Sequence, residues 1–516
     1  MRFVRANFGR RDAFYLVLAA LLVAFYTLTV GGGFPLDDSW IHQVYGRNLA
    51  HYGEWAFVHG QPSAASTSPL YTILLALGYS LNIPYQLWAH LLGVLALACA
   101  GMIGARMADR LVDKDKTTPL FTGLALVLAW HLIWAAASGM ETMLFCTFTL
   151  VLIWLTWREL DDVASDTNYR LTTRGLIFGI VAALAMLTRP EGIFLAGLCG
   201  MMMVIVNPRG TWRGAFFWSV GAALGFAIFI TPYLLLNLQL TGGFLPATAD
   251  AKYAQHLPII QMTTYPQRLL LMFIPIIAGG QLLLLPGVIY FTITMFQQSR
   301  QNRRALFFLL PLLWIIGLIA LYAARLPASY QHGRYVIPAI PALIVVGVVG
   351  TAQLTQHGRK SPLSRILTRT LAFSAVLAFV YFGCILGVTI YRQDVRIINE
   401  EMVASAEWMA ANIPPEELLA VHDIGAVGYF AQRPILDIAG LVSLEIVPIY
   451  DTEAVWDVMR ERDVRYLMAF PDQIPGVSTE DDRLCLLFES NGRTALNAGG
   501  GKMQIYRLAW DRLCPN

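Results

Sequence analysis

Residues 13–32 read AFYLVLAALLVAFYTLTVGG, and residues 33–42 continue as GFPLDDSWIH. The first stretch holds twenty residues without a charge. That is enough for a helix to cross bilayer hydrocarbon, where no water is present to satisfy free backbone groups. Asp37 and Asp38 stand just beyond it. The Gly31-Gly32-Gly33-Phe34-Pro35 passage between them is a poor match to a small-residue cleavage site, so the run reads as a retained first helix rather than a cleaved signal peptide. Working outward, the same pattern of an apolar run with charge only at its ends recurs. Eleven runs centre on 13–32, 85–105, 119–136, 143–157, 174–188, 192–206, 215–238, 274–296, 305–323, 336–353 and 370–390.

Composition agrees. The chain has 516 residues, 56% hydrophobic and 14% charged, against roughly 25% charged in soluble domains, and its mean hydropathy is +0.55. These values describe an α-helical polytopic membrane protein and exclude disorder, a coiled coil, collagen and a small disulfide scaffold. A net charge of +3 is too small for a nucleic-acid partner. Taking the N-terminus and every second loop collects twenty Lys and Arg residues, and the remaining loops hold six. By the positive-inside rule the N-terminus is cytoplasmic, and an odd number of spans places residues 391–516 outside the plasma membrane. The chain thus divides into a membrane module, 1–390, and an extracytoplasmic domain, 391–516. In that tail, helical patterns at 399–411 and 452–461 alternate with short apolar strands at 418–421, 435–438 and 464–470, which predicts a small α/β domain. Its two cysteines, Cys485 and Cys514, lie where an oxidising exterior permits a disulfide.

Ionisable residues are nearly absent from mid-span, and the charges of the outer side sit at span ends: Asp37, Asp38, Glu141, Arg189, Glu191, Lys252, Arg325 and Arg334. Chemistry is therefore expected at the outer membrane face. The first outer loop, 31–84, is the longest one. Trp40, Ile41, Tyr45, Leu49 and Tyr52 suit an interfacial helix, capped by Asp37 or Ser39 on the bland reading, and a second helix starts near Pro69. Thr188-Arg189-Pro190-Glu191-Gly192 reads either as a tight turn with a local ion pair or as a carrier of Arg189 toward an anion. An acid with several cations is what transfer from a phosphate leaving group requires: the acid takes the proton of the attacking hydroxyl and the cations hold the departing phosphate. Asp37 and Asp38 also offer hard oxygen ligands to a divalent cation such as Mg or Ca, although two acids do not define a site. No P-loop, no GxGxxG after a strand and no zinc-type spacing occurs.

Asp37-Asp38-Ser39-Trp40-Ile41-His42 with Tyr45, Asn48, Gly53 and Thr67-Ser68-Pro69-Leu70 resembles the first loop of the GT-C glycosyltransferases. These are multi-pass enzymes that use polyprenyl-phosphate sugars, and the likeness is to the branch with mycobacterial terminal arabinofuranosyltransferases and related bacterial enzymes. Ser138-Gly139-Met140-Glu141-Thr142, Leu187 through Gly192, Leu245-Pro246-Ala247-Thr248 with Lys252, His332-Gly333-Arg334-Tyr335 and Val421-His422-Asp423-Ile424-Gly425-Ala426 are similar to the same branch. The chain departs from it at Ser63-Ala64-Ala65-Ser66 and at Ala247. The resemblance implies an inverting transferase that moves a sugar from a polyprenyl-phosphate donor to a glycan, lipid or protein acceptor of the cell envelope. Asp37 is then the base and Asp38 its close rival. Arg189, Lys252 and Arg334 are the phosphate contacts, and Glu141, Glu191, His332, Tyr335 and His42 orient or bind substrate. Two other classes compete with this reading: a transporter or flippase of lipid-linked saccharides, and a non-catalytic envelope-assembly protein. Transporters usually show repeats and interrupted helices with polar residues at the midplane, neither of which is evident.

Overall fold

The computed structural model describes all residues except 1–7, 113–114, 162–166, 209, 245–247, 359–360, 448, 450, 477–480, 511–513 and 515–516. Leu245-Pro246-Ala247 therefore lies outside the described residues, as do Arg2, Arg5, Lys114, Arg209, Arg359 and Lys360 of the basic loops. Each of the eleven apolar runs falls on helix, although the run at 274–296 is interrupted at Gly279 and resumes through a 3-10 turn, Gly280–Leu284. Among the described residues eight helices are long and apolar enough to span. There are nine if Thr117–Leu128 and Trp130–Ala137, bent by 51° at Ala129, form one span. The runs at 143–157 and 192–206 give helices of 17 and 15 residues, Thr142–Arg158 and Gly192–Val206, shorter than the roughly 20 of a full crossing.

Two of the long helices meet backbone to backbone. A Cβ added at Gly175, Gly179, Gly221 or Gly225 would lie 2.0–2.3 Å from a carbonyl oxygen of the facing helix, which fixes glycine at the crossing of Asn168–Thr188 with Trp212–Thr241. The last of the candidate spans, Pro362–Asn412, runs 51 residues without a break and contains π turns at Phe382–Leu386 and Asn399–Val403. It carries the chain from the bundle into the C-terminal domain, so residue 390 falls inside it.

Loop 31–84 holds a short hairpin, β1 (Ala56–Val58) and β2 (Gln61–Pro62). The C-terminal domain is built on a mixed five-stranded sheet of β3 (Leu419–Val421), β4 (Ile435–Asp437), β5 (Tyr466–Ala469), β6 (Leu484–Glu489) and β7 (Gln504–Leu508), in the order β4-β3-β5-β7-β6. β3 is parallel to β4 and β5, and β7 is antiparallel to β5 and β6. The expected strands are present as β3, β4 and β5. The last two strands were not legible as such, because β6 is an edge strand with Leu486 and Leu487 exposed and lacks a clean buried alternation. Cys485 and Cys514 are bonded, with Cα atoms 5.5 Å apart.

The helix Asp38–Tyr52 forms where expected and ends at Gly53, whose φ of +68° suits the left-handed position after a helix. Trp40, Val44 and Tyr45 are buried in a cluster shared with Ile424, Val427 and Ile505 of the C-terminal domain, so its apolar face packs on protein rather than lipid. The expected N-cap is also absent: Ser39 donates to the Ser138 carbonyl instead, at 2.7 Å.

Candidate functional site

Asp38 opens its helix at the mouth of a cavity of about 410 Å³. The Ser39–Ser138 hydrogen bond ties this helix start to the Ser138–Glu141 turn, and Gly139 (φ +70°) leaves room there for the Phe34 ring. Three chain turns thereby converge. The wall takes Asp38 and His42 from one helix, Glu141 from the start of another, Arg189 and Glu191 from the Thr188–Gly192 turn, and Arg334 and Tyr335 from the turn before Ile340–His357. Lys252, Arg325, Tyr322 and Thr67 complete the polar part, while Ile193, Phe194, Leu321 and Leu326 make one side apolar.

The charges interlock. Arg334 donates to Asp38 at 2.7 Å and to the Tyr335 hydroxyl at 3.0 Å. Arg189 lies 3.8 Å from Glu141 and 3.5 Å from Glu191, and donates to the Tyr322 hydroxyl at 3.2 Å. The local ion pair of the Thr188–Gly192 turn is present, and Arg189 also lines the cavity. His42 sits 3.2 Å from Glu141. Three cations surround one ring, with Arg334, Arg189 and Lys252 at 4.9, 5.4 and 5.7 Å from the Tyr335 centroid. Four cations, counting Arg325, face the three carboxylates of Asp38, Glu141 and Glu191, which leaves the cavity cationic. Arg334 Nε and His42 Nδ1 are buried without a hydrogen-bond partner among the described residues. Burial of this kind without satisfaction is costly, and a polar ligand or water would relieve it. Burial opposes ionisation of Asp38, but Arg334 and Lys252 outweigh it and hold its carboxyl well below the usual range.

Asp37 and His332 do not line this cavity. Asp37 is buried, and its two carboxylate oxygens accept the N–H groups of Gly425 and Ala426 at 2.7 and 2.8 Å. Burial, with the nearby Asp423 charge, pushes its carboxyl up to about 7 against the pull of those two N–H groups. The adjacent acids thus have separate partners and do not converge on a shared cation, and among the described residues no group of three or more His, Cys, Asp or Glu is placed to hold a metal. His332 Nε2 lies 2.7 Å from Asp394, whose same oxygen accepts from Trp134 Nε1 at 2.8 Å. Gln331 and His332 both adopt positive φ, +53° and +59°, a strained pair for residues other than glycine. The His332–Asp394 contact therefore anchors the turn that delivers Arg334 and acts on the cavity only through it.

Sequence reasoning missed Tyr322 and Asp394. Tyr322 sits on an apolar span three residues before Arg325, where a tyrosine reads as core. Asp394 lies beyond the last apolar run and gains its meaning only from the fold.

The fold has close parallels among solved structures. ArnT from Cupriavidus metallidurans in the apo state aligns with a TM-score of 0.59 at 14% identity over 98% of this chain and 100% of that one. The Archaeoglobus fulgidus oligosaccharyltransferase in the apo form gives 0.60 at 11% over 99% and 76%. The arabinofuranosyltransferase AftD from Mycobacteria gives 0.53 at 14% over 97% and 40%. The chain has the GT-C fold. The alignments establish the architecture alone, and at identities this low they leave the chemistry to the site. A domain of unknown function (DUF8728) matches residues 388–507, which cover the end of the last candidate span and the sheet. No curated protein matches the chain by sequence.

Proposed function

We propose that the chain is a membrane glycosyltransferase that inverts the anomeric centre of a sugar carried on a polyprenyl phosphate. The observation that carries this reading is a cavity in which Asp38, hydrogen-bonded to Arg334 and acted on by Lys252, shares the wall with Arg189 and Arg325. The donor phosphate would sit among these cations, and its lipid tail would leave along the apolar side formed by Ile193, Phe194 and Leu321. Two GT-C neighbours support a lipid-phosphate ligand: one structure of Cupriavidus ArnT is bound to undecaprenyl phosphate, and one of the Archaeoglobus oligosaccharyltransferase AglB is in complex with a dolichol-phosphate.

In the reaction, the acceptor O–H gives its proton to Asp38, its oxygen bonds to the anomeric carbon, and the bond from that carbon to the phosphate oxygen breaks. The electron pair leaves with polyprenyl phosphate, whose charge the cations hold. Asp37, with its carboxyl near 7, has the better proton affinity for a base. Asp38 has the geometry, and geometry decides first. Donor phosphate draws Arg334 and Lys252 away from Asp38, which relieves the charges that hold its proton affinity down. Glu141 and Glu191 orient Arg189, and His42 is braced by Glu141. The acceptor is a glycan, lipid or protein of the cell envelope.

Transfer from a labelled polyprenyl-phosphate sugar by the full chain in nanodiscs tests the assignment. Asp38→Asn is expected to lower the rate by a factor of about 100 or more, as loss of a general base does. A Asp38→Asn variant with nearly full activity would remove Asp38 from the mechanism.

A further inference from the structure

We propose that Asp37 is a positioning residue: its carboxylate clasps the Gly425–Ala426 amides and so seats the C-terminal domain as the acceptor-side wall over Asp38. This rests on the transferase reading above. The approach at the clasp is close enough to require glycine, because a Cβ at Gly425 would lie 2.0 Å from the Asp37 carbonyl oxygen. The same domain reaches the reacting carboxylate by a second route. Leu441 closes a crevice of about 20 Å³ whose other walls are Asp38, Ile41, His42, Ala65, Thr67 and Lys252, four of which also line the main cavity. The loop that presents Leu441 is tied down by the Asp437 carboxylate, which accepts the N–H groups of Ala439, Leu441 and Val442.

Adhesion and register are separate in this interface. Adhesion comes from aromatic packing: Trp40 lies 4.9 and 4.8 Å from the Tyr429 and Phe430 rings, and Arg47 donates to the Tyr429 carbonyl at 2.9 Å. Such a surface holds the domain on the helix but permits small slips. The paired hydrogen bonds at Asp37 are directional, and Asp37 is bonded through the backbone to Asp38, so they fix the distance between Leu441 and the base. His422 and Asp423, the other polar residues of this turn, are engaged within the domain. Asp423 accepts from Gln473 Nε2 at 2.9 Å and His422 lies 3.6 Å from Asp423.

Three variants of the full chain test the clasp: Gly425→Ala, Asp37→Asn and Leu441→Ala. Asn at 37 presents an NH₂ group to one of the two backbone donors and keeps at most one bond. Acceptor KM is expected to rise about tenfold in each, with donor KM within about twofold of wild type. Hydrogen exchange at the Gly425 and Ala426 amides, read without any substrate, is expected to accelerate in Asp37→Asn. If Gly425→Ala does not fold, Leu441→Ala and the exchange measurement still decide. Unchanged exchange, equal rises in both KM values, or a hundredfold loss of kcat in Asp37→Asn beside a normal Leu441→Ala would each overturn the proposal. Absence of any transfer by wild type would overturn the transferase reading and leave the exchange test of the clasp standing.

Discussion

Arg334 holds Asp38 with one nitrogen and the Tyr335 hydroxyl with another, and stacks its guanidinium near the Tyr335 ring. A lysine preserves the charge and none of this geometry. Arg334→Lys is therefore expected to cost about 10- to 100-fold in kcat/KM, measured with the polyprenyl-phosphate donor, and full activity would mean that only a point charge is needed there. Asp37 gives a second test at this scale. Its carboxyl, raised by burial from 3.8 to about 7 in the folded chain, binds a proton more tightly than in the unfolded chain. Its contribution to stability is complete below about pH 4 and is lost as pH rises through 7. The difference in Tm between wild type and Asp37→Asn is expected to shift against wild type across that window and to level off above it. Asp437, raised to about 6 chiefly by burial, acts in the same direction and is common to both proteins. A shift in favour of wild type with rising pH would mean that the clasp stabilises the ionised carboxylate more than burial penalises it.

The glycines at the crossing of Asn168–Thr188 and Trp212–Thr241 give a comparison between helices. Alanine normally favours a helix over glycine by about 1 kcal/mol. At Gly221, however, the added Cβ would lie 2.1 Å from the Thr172 carbonyl oxygen, whereas at Gly197 nothing lies within 4 Å. Gly221→Ala is expected to lose about 1–3 kcal/mol through forced separation of the helices, and Gly197→Ala to lose nothing. Thermal unfolding in detergent reads both, and equal Tm values would deny the close contact. This contact also marks what sequence conveys. Apolar runs announce helices because each must satisfy its own backbone in hydrocarbon, and strands β3 to β5 announce themselves by buried apolar residues. The partner of a helix is not written in its own periodicity. For that reason the Asp38–Tyr52 helix read as interfacial, when the C-terminal domain covers the face that a membrane was expected to cover. The same holds for the acids: residue types and order brought eight of the ten singled-out side chains to one cavity, but neighbours in sequence, Asp37 and Asp38, point to different partners, and only the fold separates them.

At the scale of the whole molecule, the cavity and the C-terminal domain share one end of the helix bundle, because Asp37 binds Gly425 and Leu441 lies against the crevice beside Asp38. One measurement of sidedness therefore places both. We propose that this end lies outside the cytoplasm, on the ground of the excess of Lys and Arg in alternate loops and of the Cys485–Cys514 bond, which suits an oxidising compartment. A cysteine at Asn491, which is exposed on the C-terminal domain, provides the probe. The native cysteines contribute little background, since two are paired and Cys146 and Cys199 are buried in the bundle. Cys99 is exposed and Cys384 half-buried, both on helices long and apolar enough to span, where a charged reagent has no path. In intact cells Asn491→Cys is expected to react with an impermeant maleimide to the same extent as after lysis, while wild type stays unlabelled. Labelling that requires lysis would turn the molecule over and place the proposed acceptor on the cytoplasmic side. The clasp would remain as the geometry places it, but the envelope acceptor would be lost, because the cavity that holds Asp38 turns with the domain.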